Sequence, residues 1–507
     1  MTSFDPIRIG LFTELFASIA EEMGVVLERV SHSPNIKERR DHSCAVFDTQ
    51  GRLIAQAAHI PVHLGAMEFL MQKWLAEGPR IRPGAFYITN DPFFAGTHLP
   101  DISILQSVEL VGKTVGYVAT RAHHSDVGGS KPGSLAPVDS IEKEGLIISP
   151  SEMSQEIVDR LLSGSRNPSE RRGDLSAQMA ACNVGSRRYA SLAEKFGIEL
   201  EAKFEECLEY ASQTTSAAIR SIPEGVYTAT DFLDCMPGDN PLARISVSIS
   251  VRDGRMSFDF EGTDDQRPIG LNATEAVTRS ACYYVVRCLA PEAPTNGGCW
   301  GPIEVKAPKG TLVNATYPAP VVAGNTETSQ RIVDTIFQAL SEAMPQRIPA
   351  CSQGTMNSIA FGKGGWAYYE TIGGGAGGGP IRRGASGIHS HMTNTRNTPI
   401  EALEIELPVR VTKYALRRGS GGSGKHPGGD GVIREFELLE DSVDITLMAD
   451  RYSLGPPGIL GGECGKHGRC EIRMNGEWIE MPSKFSIRLN GGDLVRIETP
   501  GGGGYGV

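Results

Sequence analysis

No stretch of this 507-residue chain has the roughly 18 consecutive apolar residues that a membrane-spanning helix needs, so no membrane partner is expected. No basic stripe is visible, and the net charge of −11 argues against nucleic acid, whose phosphates require a concentrated cationic face. The opening residues, MTSFDPIRIGLF, lack the cationic start and long apolar core of a secretory leader. Ten cysteines run from Cys44 to Cys470 without a CxxC pair, which suits reduced thiols in a cytoplasmic protein better than a disulfide framework. Cys464 and Cys470 flank His467 and have the chemistry of metal ligands, but incidental thiols are the simpler reading. No Ser-His-Asp or Cys-His nucleophile arrangement stands out.

Nucleotide motifs are also missing in complete form. Gly419 to Lys425, GSGGSGK, matches the first seven positions of a phosphate-binding loop. His426 then replaces the Ser or Thr that would hold magnesium, and Pro427-Gly428-Gly429 follow where a helix should begin. Gly373 to Gly379 contains GxGxxG, yet Pro380 and a polar run follow instead of an apolar helix. Both runs are read as structural loops.

What is abundant is glycine, 60 residues, or about 12% against a usual share of roughly 7%. Hydrophobic residues at 40% and charged residues at 21% describe a globular chain, and the length predicts two or three domains. The expected fold class is α+β, a multidomain mixed fold. Residues 1–221 form a helix-and-hairpin part with a helical layer and a metal site, and residues 222–507 form a strand-rich part with glycine-rich loops.

Local signals fill in this outline. Asp5 caps and Pro6 opens a helix whose apolar residues recur from Phe12 to Leu27, ending near Val30. A second helix spans about Ala66 to Ala76 and stops at Gly78. Between them, Cys44 to Phe47 and Arg52 to Gln56 flank a turn at Asp48 to Gly51, which puts Asp41, His42, His59 and His63 near strand ends. Residues 149–221 have mainly a helical period. Asp253-Gly254 and Asn475-Gly476 are hairpin turns, and helices are expected over Ala273 to Leu289 and Ser329 to Ala343.

The chemistry concentrates between Asn90 and Gly129, in NDPFFAGTHLPD and RAHHSDVGG. Ile102 to Val111 and Thr114 to Arg121 alternate as strands, and Gly112-Lys113 suits a two-residue turn. That turn sets Asp101 opposite His124 and Ile102 opposite His123. His98 approaches the same end through a turn, since Pro100 excludes ordinary helix. Two imidazoles and a carboxylate form a plausible set of ligands for zinc, manganese or iron, with a position left for water or substrate. The competing reading is a pair of hydrogen-bonded histidines in a hairpin. In HSHMTNTRNTPIE, His389 and His391 are one residue apart, and a polar loop contacting substrate or a partner chain is the favoured reading.

An ordered series of segments resembles the hydantoinase B/oxoprolinase family across nearly the whole chain: ERRDHSCAVFD, HIPVHLGAM, NDPFFAGTHLPD, AHHSDVGG, GDLSAQMAA, PAPVVAGNTETSQR, SQGTMNS, YYETIGGGAG, HMTNTRNTPIE, SGGSGKHPGGDG and TPGGGGYG. The resemblance implies an enzyme that works with a separate ATP-binding A subunit, as a hetero-oligomer. The A subunit activates a cyclic amide or ketone by phosphorylation, and the B subunit completes the conversion. Opening a hydantoin, 5-oxoproline or lactam ring with water is the leading expectation. A subunit of an acetone-type carboxylase is the alternative, and a non-catalytic scaffold for the A subunit is a third. In the carboxylase relatives two histidines and an aspartate hold a metal, a pattern that matches His98, Asp101 and His123. Asp41 is then a candidate fourth ligand or general base, and His124 and Asp126 are candidates for proton transfer or for supporting the ligands. Close backbone approach to the reaction intermediate is expected of Gly373 to Gly379 and Gly501 to Gly504.

Overall fold

A computed structural model describes residues 5–197, 199–236 and 242–507. Met1 to Phe4, part of the segment read for a leader, lie outside them. Asp5 caps helix α1 (Pro6–Val30), its carboxylate accepting from the amides of Ile7 and Arg8. The short α2 (Pro34–Lys37) follows, and then strands β1 (His42–Phe47) and β2 (Leu53–Ala58) form the expected hairpin. Helix α3 (Ala66–Glu77) ends at Gly78. Strands β3 (Phe86–Thr89), β4 (Asp101–Leu110), β5 (Lys113–His123) and β6 (Ser151–Glu152) complete a sheet of order β2-β1-β5-β4-β3-β6.

The helical layer is α4 (Gln155–Gly164), α5 (Pro168–Phe196) and α6 (Glu199–Arg220). Against the first sheet, α1 and α5 close a core that includes Phe16, Met23, Ile104, Val118 and Leu175. Gly185 lets α5 approach α1, because a Cβ there would lie 2.3 Å from the Met23 sulfur.

A second sheet runs β10-β9-β8-β7, from β7 (Gly225–Asp234), β8 (Leu242–Arg252), β9 (Arg255–Asp259) and β10 (Ile303–Lys306). Asp253 and Gly254 both have positive φ, so the turn between β8 and β9 has the expected type. Helices α7 (Glu275–Leu289) and α8 (Ser329–Ser341) pack on this sheet. The apolar cluster beneath them takes in Ile60, Val62 and Leu135, so packing crosses residue 221 without a break. A buried ion network anchors α8: Arg331 contacts Asp231 at 3.2 Å and Asp450 at 2.6 Å, while Arg451 contacts Asp231 at 2.7 Å and Asp334 at 3.1 Å.

The remaining strands are β11 (Ser358–Lys363), β12 (Trp366–Glu370), β13 (Val409–Arg417), β14 (Gly431–Leu438), β15 (Val443–Met448), β16 (Arg469–Met474), β17 (Glu477–Met481), β18 (Lys484–Leu489) and β19 (Leu494–Glu498), with α9 (Ile400–Glu406) between β12 and β13. They form sheets β12-β11-β15-β18 and β13-β14-β19-β16-β17, which share one apolar core. The α+β class is therefore correct. No described helix is long and apolar enough to cross a membrane.

The glycine-rich runs form a bundle of close-packed backbone. A Cβ on Gly501 would meet the Ser420 carbonyl oxygen at 2.0 Å, on Gly502 that of Ala376 at 2.0 Å, on Gly503 that of Pro457 at 2.0 Å and on Gly504 that of Ser423 at 1.9 Å. Successive residues face different neighbours. The fourth returns to the neighbour of the first, advanced by three, which is the period of a polyproline II helix. The amides of Gly501 to Gly504 donate to Lys466, Gly429, Cys351 and Glu463, and those of Gly374, Gly375, Ala376 and Gly378 donate to Ile388, Pro500, Ala385 and Gly503. These donors are already used within the protein. The expectation that they meet a reaction intermediate is replaced by a structural role, shared by GSGGSGK, where Gly422 donates to Gly502 and His426 pairs with Tyr505.

Candidate metal centre

The ribbon β4-β5 carries the centre, and its register differs from the one the turn residues predict. The chain reverses at Val111-Gly112, both with positive φ, so Leu110 faces Lys113. A bulge then leaves Val115 as an extra residue on β5: Glu109 pairs with Thr114, but Val108 pairs with Gly116. The net result sets Asp101 opposite His123 and Ile102 opposite Ala122, one residue away from the sequence expectation. A one-residue change exchanges the faces of a strand. His123 therefore lies on the face of Asp101, and His124 on the other.

Asp41 continues this row. In the β1-β5 pairing His42 faces Ala122, and the His123 amide donates to the Asp41 carbonyl at 3.0 Å. Asp41, His123 and Asp101 thus sit side by side at one end of three adjacent strands.

His98 enters from the turn before β4. Its Nε2 lies 3.3 Å from Asp101 Oδ1 and 3.1 Å from His123 Nδ1, and His123 Nδ1 lies 3.2 Å from the same carboxylate oxygen. All three side chains are buried, and their ligand atoms fall within 4.8 Å of one another. Asp101 Oδ1 has no aligned hydrogen bond in this buried position, nor does His123 Nε2. The other oxygen, Oδ2, accepts from Thr97 Oγ1 and lies 3.3 Å from His63 Nε2, while His63 Nδ1 contacts Ser43 Oγ at 2.9 Å. Supported on one side, the carboxylate turns its free oxygen toward two imidazole nitrogens.

The ring of His98 is oriented by the Val322 carbonyl, 3.2 Å from Nδ1. A proton on Nδ1 leaves Nε2 with its lone pair inward, the tautomer a metal ligand needs. Asn325 Nδ2 approaches that Nε2 at 3.1 Å from a single π-turn, Gly324–Thr328, at the start of α8. The His123 ring stacks on Tyr369 with centroids 4.7 Å apart.

The electrostatics follow from burial. Desolvation alone would drive the Asp101 carboxyl up, but the imidazoles of His98, His123 and His63 around it hold it well below the ordinary range. Burial likewise opposes charge on His98, yet the Asp101 carboxylate, with Asp41 contributing, raises its pKa overall. Burial dominates at His123 and lowers it. An anionic oxygen and two nitrogen donors in a desolvated cluster fit a divalent ion of the zinc, manganese or iron type.

The structure does not bring His124 and Asp126 to this cluster. His124 Nε2 contacts Gln178 Oε1 of α5 at 3.0 Å, and burial lowers its pKa to about 4. Asp126 uses both oxygens locally, accepting from the amides of Gly128, Gly133 and Arg166 and from Arg166 Nη1 at 2.9–3.0 Å. It fastens the loop after β5 to the start of α5. Among the described residues, no metal cluster forms around Cys464, His467 and Cys470 or around His389 and His391. His391 instead lies 3.3 Å from Asp334.

Sequence reasoning did not single out Thr97, Ser43 or Asn325 for the centre, and it noted His63 only as lying near a strand end. Asn325 lies 227 residues from His98. Both it and His63 do fall inside the segments quoted for the resemblance. Because residues that orient a ligand typically change metal affinity by about 10–100-fold, His63→Ala is expected to weaken divalent-ion binding within that range while the fold persists. Titration with a competing chelator checks this, and unchanged affinity would remove His63 from the centre.

The hydantoinase B/oxoprolinase family model matches residues 5–507. The chain is 36% identical to 5-oxoprolinase 1 of Arabidopsis thaliana, covering 99% of this chain but only 42% of that protein. It is 31% identical to a putative B-type subunit of a D-/L-hydantoinase from a Pseudomonas species, covering 100% of this chain and 90% of the relative. Among solved structures it is similar to the ATP-dependent caprolactamase from Pseudomonas jessenii, with a TM-score of 0.91 and 26% identity over 100% of this chain and 92% of that one. In sequence and in fold, the chain belongs to the hydantoinase B/oxoprolinase family.

Proposed function

We propose that this chain is the hydrolytic B subunit of an ATP-dependent cyclic amidase, opening a lactam, hydantoin or 5-oxoproline ring after activation by an A-type ATP-binding partner. The observation that carries this reading is the buried convergence of His98 Nε2, Asp101 Oδ1 and His123 Nδ1. The names of the relatives support the substrate class and the division into subunits. GSGGSGK is absorbed into the glycine bundle, which agrees with ATP being used by the partner.

His98, Asp101 and His123 would hold the divalent ion, with Asp41 as a fourth ligand or a base. When bound, such an ion supplies Lewis-acid polarisation and acidifies water. An amide carbon is a poor electrophile because nitrogen donates into the carbonyl, and phosphorylation of the oxygen by the partner removes that protection. Water then adds to the ring carbon, and the C–N bond breaks as nitrogen takes a proton. The acyl phosphate left behind is hydrolysed to carboxylate and phosphate. Asp41, next to His123 across the β1-β5 pairing, would accept a proton from the attacking water. His63 and Val322 hold the ligands in orientation.

Co-purification with the A-type protein and assay of ring amides with ATP tests the reading. The expected result is ring opening coupled to ATP hydrolysis. Turnover by the isolated chain without ATP would contradict the two-subunit assignment, and strict dependence on bicarbonate would indicate carboxylation.

A further inference from the structure

Glu144 lies between β5 and β6, just past the 3-10 turn Ile141–Lys143, and its side chain is buried. Among the described residues it forms no ion pair. Its Oε1 accepts from the Val322 amide at 3.0 Å, while Oε2 is buried without a hydrogen-bond partner. Burial pushes the carboxyl up to about 8, against the amides of Val322 and Val321 and the charge of His98. Burying an acid without a cation is unfavourable. What this one holds in place is therefore informative.

Val322 is the residue whose carbonyl stands 3.2 Å from His98 Nδ1. Both peptide groups that flank its Cα are tied down. The first gives its N–H to Glu144, and the second, which carries the Val322 carbonyl, gives the Ala323 N–H to the Gly270 carbonyl at 2.7 Å. Gly270 also makes the room for this grip, since a Cβ there would lie 2.8 Å from Val322 Cγ1 and 3.2 Å from Glu144 Oε1. With both peptide planes fixed, the Val322 carbonyl is held in the direction of the His98 ring.

We propose that Glu144 is a positioning residue of the metal centre: by gripping the Val322 amide it aims the Val322 carbonyl at His98 Nδ1, which keeps the proton on that nitrogen and the Nε2 lone pair inward. A hydrogen bond to the far nitrogen of a ligating imidazole fixes both its tautomer and the direction of its ring. Glu144 itself touches neither ion nor substrate and acts through the backbone alone. The role needs an acceptor oxygen at the place of Oε1 and no negative charge, so glutamine serves it while alanine does not. The inference rests on the reading of His98, Asp101 and His123 as ligands and adds to them a support that the sequence places in a separate segment.

The test is titration of the full chain with zinc against a competing chelator, in wild type, Glu144→Ala and Glu144→Gln, with a thermal melt of each. Glu144→Ala is expected to weaken binding by at least about 10-fold, the lower end for groups that orient a ligand. Glu144→Gln is expected to stay within a few-fold of wild type even where its melt falls, a rescue that loss of packing alone would not give. Wild-type affinity in Glu144→Ala overturns the proposal, and so does a glutamine variant as weak as the alanine one. Should the alanine variant not fold, Glu144→Asp takes its place: it keeps the carboxylate but draws it back from Val322, and wild-type affinity there overturns the proposal equally. Failure of the wild-type chain to bind zinc would remove the metal reading and this inference with it. Tight wild-type binding that Glu144→Ala leaves unchanged would remove only this one.

Discussion

Asp101→Asn is expected to leave the protein folded but to lower its affinity for a divalent ion by more than about 100-fold, since even residues that only orient a ligand shift affinity by 10–100-fold. The substitution keeps the shape of the side chain. Its amide can still meet Thr97 and His63, so the buried support survives. What is lost is the anionic charge opposite His98 and His123, the charge that raises the pKa of His98. Ring opening by the complex with its partner should fall with metal occupancy, and excess metal should restore part of it. Metal content by mass spectrometry, with a thermal melt beside it, separates this outcome from unfolding. Full activity in the variant would support the scaffold role instead.

Gly502→Ala is expected to destabilise the protein by at least about 3 kcal/mol, the upper range for overpacking a well-packed interior. The added Cβ would stand 2.0 Å from the Ala376 oxygen and 2.3 Å from its carbonyl carbon. Both belong to backbone fixed by its own hydrogen bonds, so neither side can retreat cheaply. The comparison is Gly10→Ala on α1, where a Cβ meets nothing within 4 Å. That change should stabilise by up to about 1 kcal/mol through helix propensity. Denaturant titration of the two variants measures the contrast. A wild-type midpoint for Gly502→Ala would mean that the bundle is looser than its contacts imply.

Much of the secondary structure was legible because its signals are local. Asp5 and Pro6 opened α1, Gly78 ended α3, and the Asn475-Gly476 turn fell where its φ preferences require. The metal ribbon was legible in outline and misread in register. Gly112 suggested a turn one residue later than the real one, because Val111 has a β-branched side chain that disfavours positive φ. The bulge at Val115 had no sequence signal at all. Those two features decide which histidine shares a face with Asp101, and the resemblance to the family, rather than the spacing, pointed to His123. His63, Thr97 and Asn325 escaped notice as site residues because their contacts with the centre depend on tertiary packing. Glycine abundance was plain from composition. The three-fold backbone bundle was not, since its contacts join distant segments through carbonyl oxygens and leave no side-chain periodicity.

The central claim is that one cation is held by His98, Asp101 and His123. Anomalous diffraction at the metal edge, from crystals of the metal-loaded protein, tests it most directly. The account predicts a single strong peak about 2.0–2.2 Å from His98 Nε2, Asp101 Oδ1 and His123 Nδ1, the usual range for nitrogen and oxygen ligands. A metal-loaded crystal in which that position carries no anomalous density would contradict it.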